Sequence, residues 1–415
     1  MPSPVNTIIT GMMKINKLHT LIFTALCFSF LGISAISAPA EAMTKAEFLP
    51  KVFGALGHPV PAKYFSDFEG DITRSDATRL TLEAMGWGFV INVWEQITLL
   101  PEWSEKDPVT EVASSMSPHA PSAWLSASDE PFTVDDLPAL REWIAQCKKQ
   151  ASWRATFGWN LTELTFIKHG VGDPSGPANG DLKNGKNEPL FIAVLAVNMN
   201  AVPCQIATAQ MIGSPKATLA TIATENYGVI GGINGGYFGG AKPIGILRRQ
   251  GMMESSHFWP RRSAFGWNAA GKTIFIDGKE IADIGAAQFN EFTEMMQAGP
   301  LLVKDGKPVA NTEDINVGVL TKRHPRTFVG TDRTRVLWGV IDGRDSMHSV
   351  GATIEEMRTA CKWLGITTGL NLDGGGSSSL WWRGMTFTHP SNTRLQERPI
   401  PYAILMFEQG HGVRQ

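Results

Sequence analysis

A chain of 415 residues is longer than one ordinary domain. Its 43% hydrophobic and 18% charged content supports a real core and excludes general disorder. A formal net charge of −2 leaves no basic field with which to hold nucleic acid.

The N-terminus reads as a targeting signal. Lys14 and Lys17 precede an apolar run, Leu21 to Ile33, that is too short to span a membrane. Small-residue cleavage sites follow at Ala38-Pro-Ala40 and Ala40-Glu-Ala42. Residues 1–42 are therefore expected to be removed, and the mature protein to be exported to the periplasm or cell surface. Beyond the signal, Cys147, Cys204 and Cys361 form a sparse, odd set without Cys-x-x-Cys spacing. They read as buried, inert thiols.

Residues 43–150 carry one pattern three times: Met43-Thr-Lys-Ala-Glu-Phe-Leu49, Ile72-Thr-Arg-Ser-Asp-Ala-Thr78 and Phe132-Thr-Val-Asp-Asp-Leu-Pro138. In each, a threonine is followed three residues later by an acid, and an apolar residue stands just before it. That is a capping box with its hydrophobic staple, so three helices are expected to start at Thr44, Thr73 and Thr133. The spacing fits one and two periods of a unit of about 30 residues. With Phe65-Ser-Asp-Phe68 ahead of the second cap, the segment resembles degenerate S-layer homology repeats. That resemblance implies a separable module with cell-wall polymer as a partner; an ordinary helical cap on the remaining chain is the alternative.

Gly170 to Asn187 reads as a loop, and residues 151–415 as a second domain dominated by strands. Phe191–Val197 is one strand. Arg326–Thr331 and Arg335–Ile341 flank Asp332-Arg333 as the arms of a hairpin. Thr353 and Glu356 make a fourth capping box, with Ile354, Met357, Cys361 and Leu364 on one helix face and Gly365 as its stop. The expected class is α+β, a strand-rich domain preceded by a small helical module.

Several apolar runs end in residues that can do chemistry. In Gly369-Leu-Asn-Leu-Asp-Gly-Gly-Gly-Ser-Ser-Ser-Leu380, Asp373 ends a strand and Gly374, Gly375 and Gly376 expose bare backbone. Their N–H groups, with Ser377 and Ser378, could form an anion-binding nest; a glycine-rich turn is the alternative. Asn234, Gly235, Gly236 and Tyr237 end another run. His324, Arg326 and Thr327 open a strand, Asp342 and Arg344 close the next, and Arg398 precedes the last.

In this order, Asn-Gly-Gly-Tyr-Phe, Gly-Pro-Leu-Leu-Val, Pro-Arg-Thr, Asp-Gly-Arg, Asn-Leu-Asp-Gly-Gly-Gly-Ser-Ser and Arg-Pro resemble the motifs of the phosphodiester glycosidase family. That family includes the lysosomal enzyme that removes N-acetylglucosamine from a sugar phosphodiester, and bacterial proteins associated with exopolysaccharide. The likeness covers roughly residues 156–408. It implies hydrolysis of a sugar-1-phosphodiester at the anomeric carbon, in the cell envelope, by a glycoside hydrolase; no Asp, Glu and His cluster has the spacing of a metal site, so no obligatory metal or cofactor is expected. Asp373, Asp342 and His324 are the implied catalytic residues. Asn234, Gly235, Gly236, Tyr237, Arg262, Arg326, Thr327, Arg344, Asn371, Gly374, Gly375, Gly376, Ser377, Ser378 and Arg398 are the implied substrate-binding set. The arginines suit a phosphate leaving group, which needs charge neutralised more than it needs a proton. A carboxylate suits the oxocarbenium side. A glycan-binding protein without turnover and a glycosyl transferase using the same site are the competing readings.

Overall fold

The computed structural model describes residues 40–64, 69–174, 188–283, 290–310, 313, 315, 317–392 and 396–412. Most of the targeting signal, Phe65–Phe68 and residues 175–187 of the glycine-rich loop lie outside the described residues.

All four expected capping boxes are formed. Thr44, Thr73 and Thr353 cap the helices Lys45–Leu56, Arg74–Ala84 and Ile354–Trp363, and Thr133 caps the short turn leading into Leu137–Gln150. The staple residues do more than set an entry angle. Met43 N–H donates to the Phe132 carbonyl at 2.8 Å, Phe132 N–H to Ile72 at 2.9 Å, and Ile72 N–H to Met43 at 3.0 Å. The three units therefore close a ring of backbone hydrogen bonds, with all three staple side chains buried. Sequence repetition becomes local symmetry, because each unit offers one donor and one acceptor at the same position.

Three larger sheets follow. The eight-stranded sheet runs Ser152–Trp159, Thr162–His169, Leu190–Val197, Val336–Ile341, Arg326–Thr331, Thr368–Asn371, Leu301–Lys304, Lys307–Pro308. A five-stranded sheet runs Met385–Thr386, Leu380–Trp382, Val229–Asn234, Tyr402–Phe407, Cys204–Thr208, and a second one holds the strands between Leu247 and Gln297. Every neighbouring pair is antiparallel. This is the expected α+β class.

The strand Leu190–Val197 is apolar throughout because both of its faces are covered. Ile192, Val194 and Ala196 pack with Met357, Ala360 and Cys361 of the helix Ile354–Trp363. Phe191, Ala193, Leu195 and Val197 face the main core. Tyr402–Phe407 is sandwiched in the same way, with Ile404 and Met406 in the main core and Leu405 and Phe407 against Leu219 and Ile222. Cys147, Cys204 and Cys361 are all buried thiols, and burial pushes each one's ionisation up.

Residue 150 marks a change of secondary structure rather than a break in packing. One apolar cluster runs from Phe48, Val52 and Trp87 of the helices to Phe166, Phe191, Leu195 and Ile404 of the sheets. Ring contacts cross the boundary, Trp94 to Phe157 at 4.9 Å and Phe89 to Phe191 at 5.1 Å. Ala42–Gln415 forms a single compact unit. The separable module expected for residues 43–150 is instead continuous with the sheets, because its buried side chains complete their core.

Candidate active site

The site assembles where strand ends from the eight-stranded sheet and a five-stranded sheet meet. Asn234 ends one strand and its buried amide ties the two sheets together. Its Nδ2 donates to the Asp373 carbonyl at 2.8 Å, while Oδ1 accepts from Ser379 N–H at 3.1 Å and from the Thr327 hydroxyl at 2.9 Å. Thr327 also bonds with Ser378 Oγ at 3.1 Å. Asn371 does the same on the far side, its Nδ2 lying 2.9 Å from both the Tyr237 hydroxyl and the Gly299 carbonyl. These amides position the loop between the two strands.

Asp373 sits at the centre. Burial pushes its carboxyl up to about 6, against the pull of Ser377, Arg398 and the Gly374 N–H. Burial, and then the charge of Asp373, push up the ionisation of both Tyr237 and Tyr402. Gly235 is required here, because a Cβ would stand 2.3 Å from the Tyr402 ring. Gly236 is equally constrained, 2.8 Å from the Gln297 carbonyl and 2.9 Å from the Tyr402 hydroxyl.

Two guanidiniums face the glycine loop. A Cβ on Gly375 would lie 3.2 Å from Arg344 Nη2, and one on Gly376 would lie 2.7 Å from Arg398 Nη2. Arg398 Nη1 donates to Ser377 Oγ at 3.3 Å. Burial, and then proximity to Arg398, depress the ionisation of Arg344. Among the described residues, no ion pair to a carboxylate holds either one. Unpaired, converging guanidiniums fit a bidentate anion.

Other expected site residues take different places. Arg326 is buried, and its guanidinium is committed to backbone: Nε donates to Ala352 at 2.7 Å, and Nη2 to Val319 at 2.5 Å and Lys322 at 2.9 Å. It anchors the chain behind the loop instead of gripping a ligand. The glycine loop is not an open nest either. Gly375, Ser377 and Ser378 spend their N–H groups on Pro325, Gly374 and Gly375 carbonyls, at 2.8, 3.3 and 3.3 Å.

Asp342 is buried in a cluster of its own. Its Oδ2 shares a hydrogen bond of 2.8 Å with His348 Nε2 and accepts from the His389 N–H at 3.0 Å. Lys168, fully buried, donates to the His348 carbonyl, and burial brings its ammonium down to about 7. Burial likewise holds the Asp342 carboxyl well above, and His348 well below, their ordinary ranges. His324 pairs its backbone with Ala352, and Pro325 next to it receives the Gly375 N–H. Arg262 stacks on Trp259 at 4.5 Å and on Tyr237 at 5.1 Å, extending the site past its phenol.

Gln297, Tyr402 and Glu313 were not expected at the site. The Gln297 side chain accepts from the Ile246 and Trp259 N–H groups and donates to the Trp259 and Arg262 carbonyls, fixing the segment that carries Arg262. Glu313 accepts from Ser263 Oγ at 2.6 Å and from the Leu301 N–H at 2.9 Å.

Asp373, Arg344 and Arg398 thus come together around the glycine loop. Residues 227–407 match the family model of phosphodiester glycosidases. The matched span includes every residue of the Asp373 site described above. No curated protein matches the chain. Among solved structures, the zebrafish N-acetylglucosamine-1-phosphodiester alpha-N-acetylglucosaminidase catalytic domain, auto-inhibited by its pro-peptide, is 16% identical, covering 62% of this chain and 88% of its own (TM-score 0.49). A hypothetical protein from Synechocystis is 16% identical over 64% of this chain and 77% of its own (TM-score 0.46). A candidate exported protein from Burkholderia pseudomallei is 14% identical over 62% and 97% (TM-score 0.49).

Proposed function

We propose that this chain is a glycoside hydrolase that cleaves a sugar-1-phosphodiester at the anomeric carbon. The observation that carries the reading is Asp373, raised to about 6, with Arg398 pulling on its carboxyl and Arg344 against Gly375 of the same loop. In the reaction, the arginines hold the phosphodiester oxygens and take up the charge that arrives as the anomeric C–O bond breaks. The departing phosphate monoester is a good leaving group and needs no general acid. The Asp373 carboxylate stabilises the oxocarbenium side and receives the proton of the attacking water, whose oxygen bonds to the anomeric carbon. Asn234, Thr327 and Asn371 hold the strand ends in register, and the Tyr237 and Trp259 rings offer apolar faces to a sugar.

The signal-like N-terminus supports an exported enzyme acting on envelope or extracellular polymers. Among the described residues, no helix is long and apolar enough to cross a membrane. The test is to incubate purified residues 43–415 with a panel of sugar-1-phosphodiesters and follow release of free sugar. Activity that Asp373→Asn abolishes supports the reading; absence of turnover across the panel, with retained binding, would leave a glycan-binding protein.

A further inference from the structure

We propose that the N-terminal helical segment is part of the phosphate grip, with Phe89 as a positioning residue for Arg344. The inference rests on the phosphate-binding reading of Arg344. Arg344 lies in a loop, Asp342 to Val350, that closes on itself: Asp345 Oδ1 takes the Met347 and His348 N–H groups at 2.8 and 3.0 Å, and Ser349 Oγ donates to the Asp342 carbonyl at 2.7 Å. Arg344 itself has a φ of 65°, a left-handed conformation that an arginine keeps only while its surroundings hold it. Relaxation of the loop would swing the guanidinium away from Gly375.

Part of what holds it comes from outside the matched span. Phe89, on the helix Gly88–Ile97, lies against His348 at 4.3 Å and against His389 at 5.7 Å between ring centroids. Both imidazole-bearing residues reach the Asp342 carboxylate, His348 by its ring and His389 by its N–H. Gly86 approaches from the same side so closely that a Cβ would stand 1.8 Å from the Met347 carbonyl oxygen. Gly172, whose N–H donates to Met85 at 2.8 Å, meets Met347 as well, a Cβ there lying 2.5 Å from its Cα. The helices thus clamp the loop whose strained arginine faces the ligand.

The test measures binding of inorganic phosphate by calorimetry, well below the melting temperature, in the full mature chain. Phe89→Ala should weaken phosphate at least fivefold, and Phe89→Leu, which keeps apolar bulk, should weaken it less. Phe89→Tyr, which keeps the ring, should bind like wild type. Phe48→Leu, buried in the same helices and packed on Phe132 instead of the loop, should lower the melting temperature and leave phosphate affinity unchanged. Wild-type affinity in Phe89→Ala alongside loss in Arg344→Ala would overturn the inference, and so would equal weakening by Phe48→Leu and Phe89→Leu. Wild-type affinity in Arg344→Ala would instead refute the phosphate reading itself, and this inference with it.

Discussion

Replacing Asp373 by asparagine separates function from stability in opposite directions. The carboxyl has a folded-state ionisation near 6, against 3.8 in an unexceptional setting, and burial is the main cause. The folded protein therefore holds this proton more tightly than the unfolded chain does. The associated stability is fully present below about pH 4, and it is lost as the pH rises through 6. At about 1.4 kcal/mol per pH unit, the ionised carboxylate costs on the order of 2–3 kcal/mol at neutral pH. Asparagine keeps the size without the charge, so Asp373→Asn should be the more stable protein at pH 7, with the gain vanishing toward pH 4. Turnover should fall by a factor on the order of 10² or more. Thermal melts from pH 4 to pH 8, run with activity assays, measure both. A variant that is less stable at pH 7, or whose stability difference does not change with pH, would refute the burial argument.

Other consequences are as direct. In wild type, kcat/KM should rise with pH through about 6, because the carboxylate is the working form, and this limb should disappear in Asp373→Asn. Arg344→Ala and Arg398→Ala should raise KM, whereas Arg326→Lys, which forfeits carbonyl hydrogen bonds in a buried setting, should mainly lower stability by about 1–3 kcal/mol in denaturant melts. Gly376→Ala, which crowds the exposed end of Arg398, should weaken phosphate binding with an unchanged melting temperature. Residues 151–415 expressed alone should lack cooperative melting, since deleting the helices uncovers Phe166, Phe191 and Leu195.

Much of this architecture was legible in the sequence because it rests on local signals. Capping boxes at Thr44, Thr73, Thr133 and Thr353 depend on residues three apart, and all four formed. Glycine-bearing strand ends marked the Asp373 loop and the Asn234 corner for the same reason. The roles of the charged residues were less legible. Arg326 and Arg344 both stand at strand ends, yet only the fold brings the Val319, Lys322 and Ala352 carbonyls to one and a left-handed backbone to the other. Asp342 and Asp373 each end a strand before a glycine. What separates them is His348 and Phe89 on one side and two tyrosines on the other, of which only His348 is near in sequence. Gln297 and Tyr402 lie in ordinary strands, where no spacing announces a side chain that fixes a loop. Continuity of the core across residue 150 was hidden for a similar reason: periodicity reveals which face is apolar, and nothing about what covers it.

The most direct test of the central claim is the fate of oxygen when a sugar-1-phosphodiester is hydrolysed in isotopically labelled water. If Arg344 and Arg398 carry away phosphate while Asp373 serves the sugar, the anomeric C–O bond breaks and the label appears in the free sugar. Label in the phosphate would mean attack at phosphorus, making the enzyme a phosphodiesterase and contradicting the roles assigned to all three residues.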